Sequence, residues 1–240
     1  MARMALFSQI RLTDFGQACV LCDADNRAVV CMACEQSLTK SADASGCRQC
    51  GLPSNNNATC GQCLRHPPHF DATLAAFEYR FPLDRLVQSF KFHADLKLVD
   101  FFVESMRARI AVANPAFHPP PDLLVALPLA NGRLKERGFN QSALLADGLA
   151  RRIGVPTAHG AMLRIRDTPP QSGLAREARI KNVRGAFDCV GALSGKHVAI
   201  IDDVMTTGAT LSEAARVLKL AGASRVDAWV LSRAVIEAGR

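Results

Sequence analysis

The sequence predicts an α/β domain built on a mostly parallel sheet with helices on both faces, preceded by a small cysteine-rich module that metal must hold together. Three observations predict it: four Cys-x-x-Cys pairs before residue 64, a strand–loop–helix alternation from about residue 123, and an apolar run ending in two adjacent acids before a Thr/Gly loop. With 240 residues, 49% of them hydrophobic, the chain is long enough for one good-sized core plus an appended module. The composition changes around His66-Pro67-Pro68-His69, which sets expected domains of 1–68 and 69–240. Met1 to Val20 carries Arg3, Arg11 and Asp14 and lacks the apolar stretch and small-residue cleavage site of a secretory signal. No later apolar run approaches the roughly 18 to 20 residues of a membrane span, so the expectation is a soluble, cytoplasmic protein without membrane insertion.

The pairs are Cys19/Cys22, Cys31/Cys34, Cys47/Cys50 and Cys60/Cys63. A chain that stays in a reducing compartment keeps its thiols free, and regularly spaced pairs then ligate metal more readily than they form disulfides. Eight thiolates match two closed tetrahedral zinc sites of structural type; iron–sulfur ligation suits the same all-thiolate set. Spacing does not decide which pairs share an ion: we assign them sequentially, with an interleaved cross-brace as the other arrangement. His66 and His69 are alternative ligands by residue type, but a linker position beside prolines is the simpler reading. Cys189 stands alone and reads as a small buried hydrophobe.

From Phe70 the chain reads as mixed α/β. Ala72 to Phe81 alternates as a strand or hairpin. Pro82 fits a first helical position, and Leu83, Leu86, Val87 and Phe90 share one helix face. A second helix covers Leu96 to Val112, and the proline-rich Asn114 to Asp122 connects it to a strand at Leu123 to Leu127. After a polar loop, a helix runs from Gln141 to Arg152 and ends at Gly154. His197 to Ile201 is a buried strand, a helix follows from about Thr210 to Ala221, and Arg225 to Leu231 is a third strand. Strands joined through helices make a parallel sheet, whose ligands bind beyond the carboxyl ends of the strands.

The stretch Val198 to Thr210 carries the most chemistry. A buried strand delivers Asp202 and Asp203 to its carboxyl end, and Val204, Thr206, Thr207, Gly208, Ala209 and Thr210 lead into a helix. Backbone N–H groups, threonine hydroxyls and the positive helix end form a nest for a monophosphate, and Gly208 lets the backbone approach closely. Two acids are poor neighbours for a bare phosphate. They make sense facing vicinal hydroxyls, as on a ribose, or holding hydrated Mg²⁺. Neither Gly-Lys-Ser/Thr nor G-x-G-x-x-G occurs here. The chain's net charge is +7, and residues 131–184 alone hold eleven Lys and Arg against four acids, an equal excess suited to a polyanion.

Position by position, Val198 to Thr210 resembles the signature of type I phosphoribosyltransferases that bind 5-phosphoribosyl-1-pyrophosphate (PRPP). Together with Leu127-Pro128-Leu129, Arg133 to Gln141, Arg166 to Gln171, Arg179, Asn182 and Phe187, the chain resembles the ComF/GntX family, in which a double zinc ribbon precedes a phosphoribosyltransferase-like domain. The likeness covers nearly the whole chain, including Tyr79 and Phe90-Lys91. It implies a pyrophosphate loop at Pro128 to Arg137 and a closing loop at Arg166 to Arg179, with Arg133, Arg137 and Arg179 on the phosphates and Mg²⁺ accompanying PRPP. It also implies a PRPP-dependent transferase in which Asp202 and Asp203 stabilise a ring that becomes positive at C1.

No residue identifies an acceptor, and no cysteine follows Met1 to act as a glutaminase nucleophile. The alternative is a non-enzymatic module that senses PRPP or binds single-stranded DNA, because the family resemblance implies a link to competence, with DNA-uptake proteins as partners, or to carbon utilisation. The basic stretch 131–184 suits a DNA backbone, although Phe139 is its only aromatic residue for base stacking.

Overall fold

The computed structural model describes residues 16–38, 40, 46–55, 58–113, 119–167 and 176–235. The chain falls into two compact units, Met1–Ser37 and Leu38–Arg240. In the first, strands β1 (Gln17–Ala18) and β2 (Asp25–Asn26) pair antiparallel and are followed by helix α1 (Met32–Ser37). The second begins with the other cysteine-rich segment, which ends in α2 (Gly61–Arg65), and continues as the α/β fold.

Its strands and helices are β3 (Ala72–Glu78), α3 (Leu83–Phe92), α4 (Leu98–Ala111), β4 (Leu123–Ala126), α5 (Asn131–Arg137), α6 (Gln141–Ile153), β5 (Met162–Arg164), α7 (Arg176–Val183), β6 (Phe187–Cys189), β7 (His197–Met205), α8 (Ala209–Leu220) and β8 (Arg225–Arg233). The main sheet has the order β3-β8-β7-β4 and is parallel throughout; β5 and β6 form a separate antiparallel pair. Helices α4 and α6 cover one face and α8 the other. Val198, Ile200, Val226, Ala228 and Val230 share one buried cluster with Leu211, Ala214, Ala215 and Leu218 of α8. The two-residue strand repeat sends Ala199, Ile201 and Trp229 to the opposite face. Covering on both sides is why these strands read as unbroken apolar runs. Among the described residues, no helix is long and apolar enough to cross a membrane.

The expected face of α3 is buried in full, at Leu83, Leu86, Val87 and Phe90, although Pro82 stands just before the helix rather than inside it. Gly154 closes α6 in the left-handed conformation, as expected. Three expectations need correction, and a fourth lies largely outside the described residues. The polar segment after β4 contains helix α5, whose basic last turn (Lys135, Arg137) complements the helix dipole. Strand β7 runs four residues further, to Met205, because β8 continues alongside it to Arg233. The acids therefore lie within the strand. Of the expected closing loop Arg166 to Arg179, residues 168–175 and the Arg179 side chain lie outside the described residues, and helix α7 begins at Arg176. Arg166 anchors that helix by donating to the Asn182 and Arg184 carbonyls. Cys189, finally, is half-buried on β6 and not interior, since a short antiparallel edge strand covers only one side.

Helices α4 and α6 meet where residue 148 has no side chain: a Cβ there would stand 2.5 Å from Val103 Cγ2. Valine is β-branched and cannot swing aside. Gly148→Ala should therefore destabilise the protein by about 1–3 kcal/mol in denaturant unfolding despite alanine's better helix propensity. Val103→Ala in the same chain should recover part of that loss; a stabilised single variant would contradict the packing.

Candidate metal centres and anion-binding site

The eight cysteines gather as Cys19, Cys22, Cys31, Cys34 and as Cys47, Cys50, Cys60, Cys63, with the sulfurs of each quartet within 4.8 Å of one another. This is the sequential assignment; the cross-brace is not formed. A tetrahedron with Zn–S of about 2.3 Å needs sulfurs about 3.8 Å apart. Cys22 and Cys31 Sγ lie 3.8 Å apart, and Cys50 and Cys60 Sγ 3.7 Å. The donor sets fit zinc.

Both clusters repeat one local design. The first pair forms a knuckle closed by Asp23 N–H to Cys19 C=O (2.8 Å) or Gly51 N–H to Cys47 C=O (2.8 Å), with Asp23 and Gly51 at positive φ. The second pair begins a short helix, α1 or α2, and its first amide donates back to the knuckle: Cys31 N–H to Cys19 Sγ and Cys60 N–H to Cys47 Sγ, each 3.3 Å. Such bonds favour the thiolate that metal requires. A hydrogen bond from Cys50, then the Cys60 amide, hold Cys47 down to about 4 against burial. His66 and His69 belong to neither cluster.

The carboxyl end of β7 assembles the second site. Lys91, at the end of α3, places Nζ 2.8 Å from Asp203 Oδ1. Asp203 is 7% exposed and Asp202 half-buried. Asp202 Oδ1 accepts from Ser142 Oγ (3.0 Å) and from the Asp203 amide (2.9 Å). Among the described residues these partners, and that of Asp203, all sit on Oδ1, which leaves Oδ2 of each acid without one. Burial, then the charge of Asp203, raise Asp202 to about 7 from 3.8, against the pull of Lys91, the Asp203 amide and Ser142.

Helix α6 enters beside them. Asn140 caps it by accepting from Ser142 N–H (3.0 Å) and donates to the Leu127 carbonyl at the end of β4 (3.1 Å). Gln141, fully buried, accepts from Arg137 (3.2 Å). Gln141 Nε2 and Arg137 Nε are both buried without an acceptor among the described residues, a condition that costs about 1–3 kcal/mol per group unless a ligand or water fills it. Burial lowers the Arg137 pKa, opposed by Asp203 and reinforced by Arg133, so these charges share one neighbourhood. Arg164, on β5, is held down by burial and then by Arg133, with Asp202 also within electrostatic reach.

Beyond β7, Thr206 is exposed and Thr207 and Thr210 half-buried, while Gly208 and Ala209 are buried. Gly208 adopts φ 79° at the N-terminus of α8, and a Cβ there would stand 2.7 Å from Met205 Cε. Thr207 Oγ1 accepts from the Ala209 amide (3.3 Å), so the loop is partly self-capped. A cavity of about 550 Å³ opens at this loop, lined by Thr207, Gly208 and Ala209 with His66, His69 and Arg184.

Of the residues singled out in the sequence, Asp202, Asp203, Arg133 and Arg137 thus share a neighbourhood, and Val204 links the acids to the Thr206–Thr210 loop. Lys91 was placed only by resemblance and without a role. Gln141 was likewise placed only by resemblance, and Ser142 and Arg164 were missed; Ser142 at a helix start just past a basic segment was the available signal.

Two outcomes follow from this geometry. Metal analysis should find two zinc ions per chain, and Cys50→Ser should leave about one with a lowered melting temperature. Because the folded pKa of Asp202 is raised, this group favours the folded state below about pH 4 and loses that contribution as pH rises towards about 7. The melting-temperature advantage of Asp202→Asn over the parent should grow from about pH 5 to about pH 8; a flat difference would place the carboxylate in a solvated setting, and a shrinking one would mean that its partners stabilise the ionised form.

A model of the phosphoribosyl transferase domain matches residues 140–236, and one of the double zinc ribbon domain matches residues 14–64. The chain is 34% identical over 206 residues to "DNA utilization protein YhgH" of Salmonella typhi, covering 85% of this chain and 90% of that one. It is 31% identical to "Competence protein F" of Haemophilus influenzae (78% and 84% covered) and 28% identical to "Competence protein ComFC" of Bacillus subtilis (85% and 84%). With two cysteine quartets ahead of a parallel sheet of this design, the chain belongs to the ComF family, which joins a double zinc ribbon to a phosphoribosyltransferase-like domain.

Proposed function

We propose that the carboxyl end of β7 binds PRPP and that the chain transfers or processes its phosphoribosyl group. One observation carries the reading: two carboxylates with an oxygen each to spare stand beside two buried donors, Arg137 Nε and Gln141 Nε2, that lack acceptors among the described residues. A ligand that satisfies both must offer hydroxyl donors and anionic acceptors together. A phosphorylated ribose does.

In this reading Asp202 and Asp203 accept from the two free ribose hydroxyls, and the ion pair of Lys91 with Asp203 Oδ1 holds that carboxylate in place while it does so. Val204, Thr206, Thr207, Gly208, Ala209 and Thr210 cradle the 5-phosphate, and Arg133 and Arg137 hold the diphosphate, with Arg179 added by resemblance. Mg²⁺ bound with the substrate would neutralise diphosphate charge, and the spare carboxylate oxygens are hard donors that suit it. As the C1–O electron pair leaves with the diphosphate, C1 becomes positive, and the fixed carboxylates stabilise that charge without reorganising. The acceptor's lone pair then forms the new bond at C1.

The relatives' association with DNA utilization and competence, with the positive excess over residues 131–184, favours a second property on the same domain: contact with a single-stranded DNA backbone.

PRPP with Mg²⁺ at a hundredfold excess over Kd should stabilise the protein by about 2.7 kcal/mol, a rise of several degrees in melting temperature. Asp202→Asn with Asp203→Asn should abolish the shift. PRPP consumption in a panel of bases, amines and water separates a transferase from a sensor. Oligonucleotide affinity that falls steeply with salt and survives the double substitution supports DNA contact; a flat salt response removes it.

A further inference from the structure

Arg233, the last residue of β8, is 3% exposed and joins two parts of the molecule that the chemistry above treats separately. Its Nε donates to the Cys50 carbonyl at 2.7 Å, within the second cysteine cluster. Its Nη1 donates to the Met205 carbonyl at 3.1 Å, to the Ala234 carbonyl at 2.7 Å and to the Thr206 carbonyl. A planar, rigid guanidinium thus spans the metal knuckle and the root of the Thr206–Thr210 loop.

The orientation matters. In a trans peptide the C=O of one residue and the N–H of the next point in opposite directions. Holding the Met205 and Thr206 carbonyls toward Arg233 therefore turns the Thr206 and Thr207 amides away from it, as an anion nest requires. A four-thiolate zinc site carries a net charge of about −2, a suitable neighbour for a buried cation.

A second line of contacts runs parallel. Thr73 N–H donates to the Arg48 carbonyl (3.1 Å) and Thr73 Oγ1 to the Gln49 carbonyl (2.6 Å), both inside the knuckle, and Oγ1 stands 3.9 Å from Met205 Sδ. A Cβ on Gly51 would lie 3.3 Å from Thr73 Cγ2. Cys47, Cys50, Phe70 and Met205 belong to one buried cluster, and Met205 and Phe70 are the side chains that crowd Gly208. The knuckle is the floor beneath the loop.

We infer that Arg233 is a positioning residue that couples metal occupancy at Cys47, Cys50, Cys60 and Cys63 to 5-phosphate binding at Thr206–Thr210. The inference rests on the phosphoribosyl reading of that loop. Coupling of this kind is reciprocal: bound ligand must retain the metal as much as bound metal favours the ligand.

The test follows zinc release from the full-length, two-zinc protein into a chromogenic chelator, with and without ribose 5-phosphate, which probes the 5-phosphate nest without the diphosphate. Saturating ribose 5-phosphate should slow release of one zinc by about tenfold and leave the other unchanged. A chain lacking the first site, Cys22→Ser with Cys34→Ser, should keep the effect on its remaining zinc. Arg233→Lys retains the charge but not the fork; it should hold both zinc ions, bind ribose 5-phosphate about tenfold more weakly and lose the slowing. Tight binding by the parent with no change in either release rate overturns the coupling alone, and needs no variant to fold. Slowing that persists in Arg233→Lys removes Arg233 from it. If neither ribose 5-phosphate nor PRPP binds the parent protein, the phosphoribosyl reading fails and the coupling with it.

Discussion

The parallel pairing of β7 with β8, kept up to their last residues, is the constraint on which the site depends. Val204 stands opposite Ser232 and Met205 opposite Arg233, and Ser232 Oγ donates to the Asp203 carbonyl at 3.2 Å. Ladder hydrogen bonds fix two dihedral angles per residue, so the acids are held by the sheet and not by a loop. A carboxylate on a strand costs little to keep in place during binding. The same register ends at the Met205–Arg233 pair, which sets where the turn into α8 begins.

The two ends of the sheet treat their acids differently. At the amino end, Asp71 accepts from Lys219 and the Val226 amide through separate oxygens, and Asp227, fully buried, is gripped by Arg225 and approached by His197. Both oxygens of each are used, and these acids hold the start of β3 and β8 together. At the carboxyl end the partners of Asp202 and Asp203 crowd onto one oxygen apiece. Ligands of parallel α/β sheets bind at the carboxyl ends of the strands.

Much of this was legible in the sequence where a pattern is local. The buried face of α3 followed from helical spacing, and the strands of the main sheet from short apolar runs. The cysteine spacing specified the ligands. Their pairing was less evident, yet a signal was present: Asp23 and Gly51, residue types that tolerate positive φ, follow the first and third pairs and mark those as knuckles. What the sequence concealed was long-range. Lys91 meets Asp203, and Arg233 meets Cys50, across separations that no window of periodicity covers. Helix α5 was concealed for a different reason: it buries none of its residues, so it has no apolar stripe to read.

On the phosphoribosyl reading proposed above, the electrostatics of the carboxyl end narrow the kind of ligand further. Arg133 stands within electrostatic reach of both Arg137 and Arg164, and burial takes from Arg137 and Arg164 some of the water that would dissipate their charge. A neutral sugar would leave that repulsion unrelieved. A simple phosphate would relieve it, but would meet Asp202 and Asp203 with nothing to donate to them. Only a molecule that presents hydroxyl hydrogens and anionic oxygens a few ångströms apart answers both halves of the site. Lys91 divides those halves: its ammonium pairs with Asp203 Oδ1 at 2.8 Å, so that the acids and the arginines can work on one ligand without first pairing with each other.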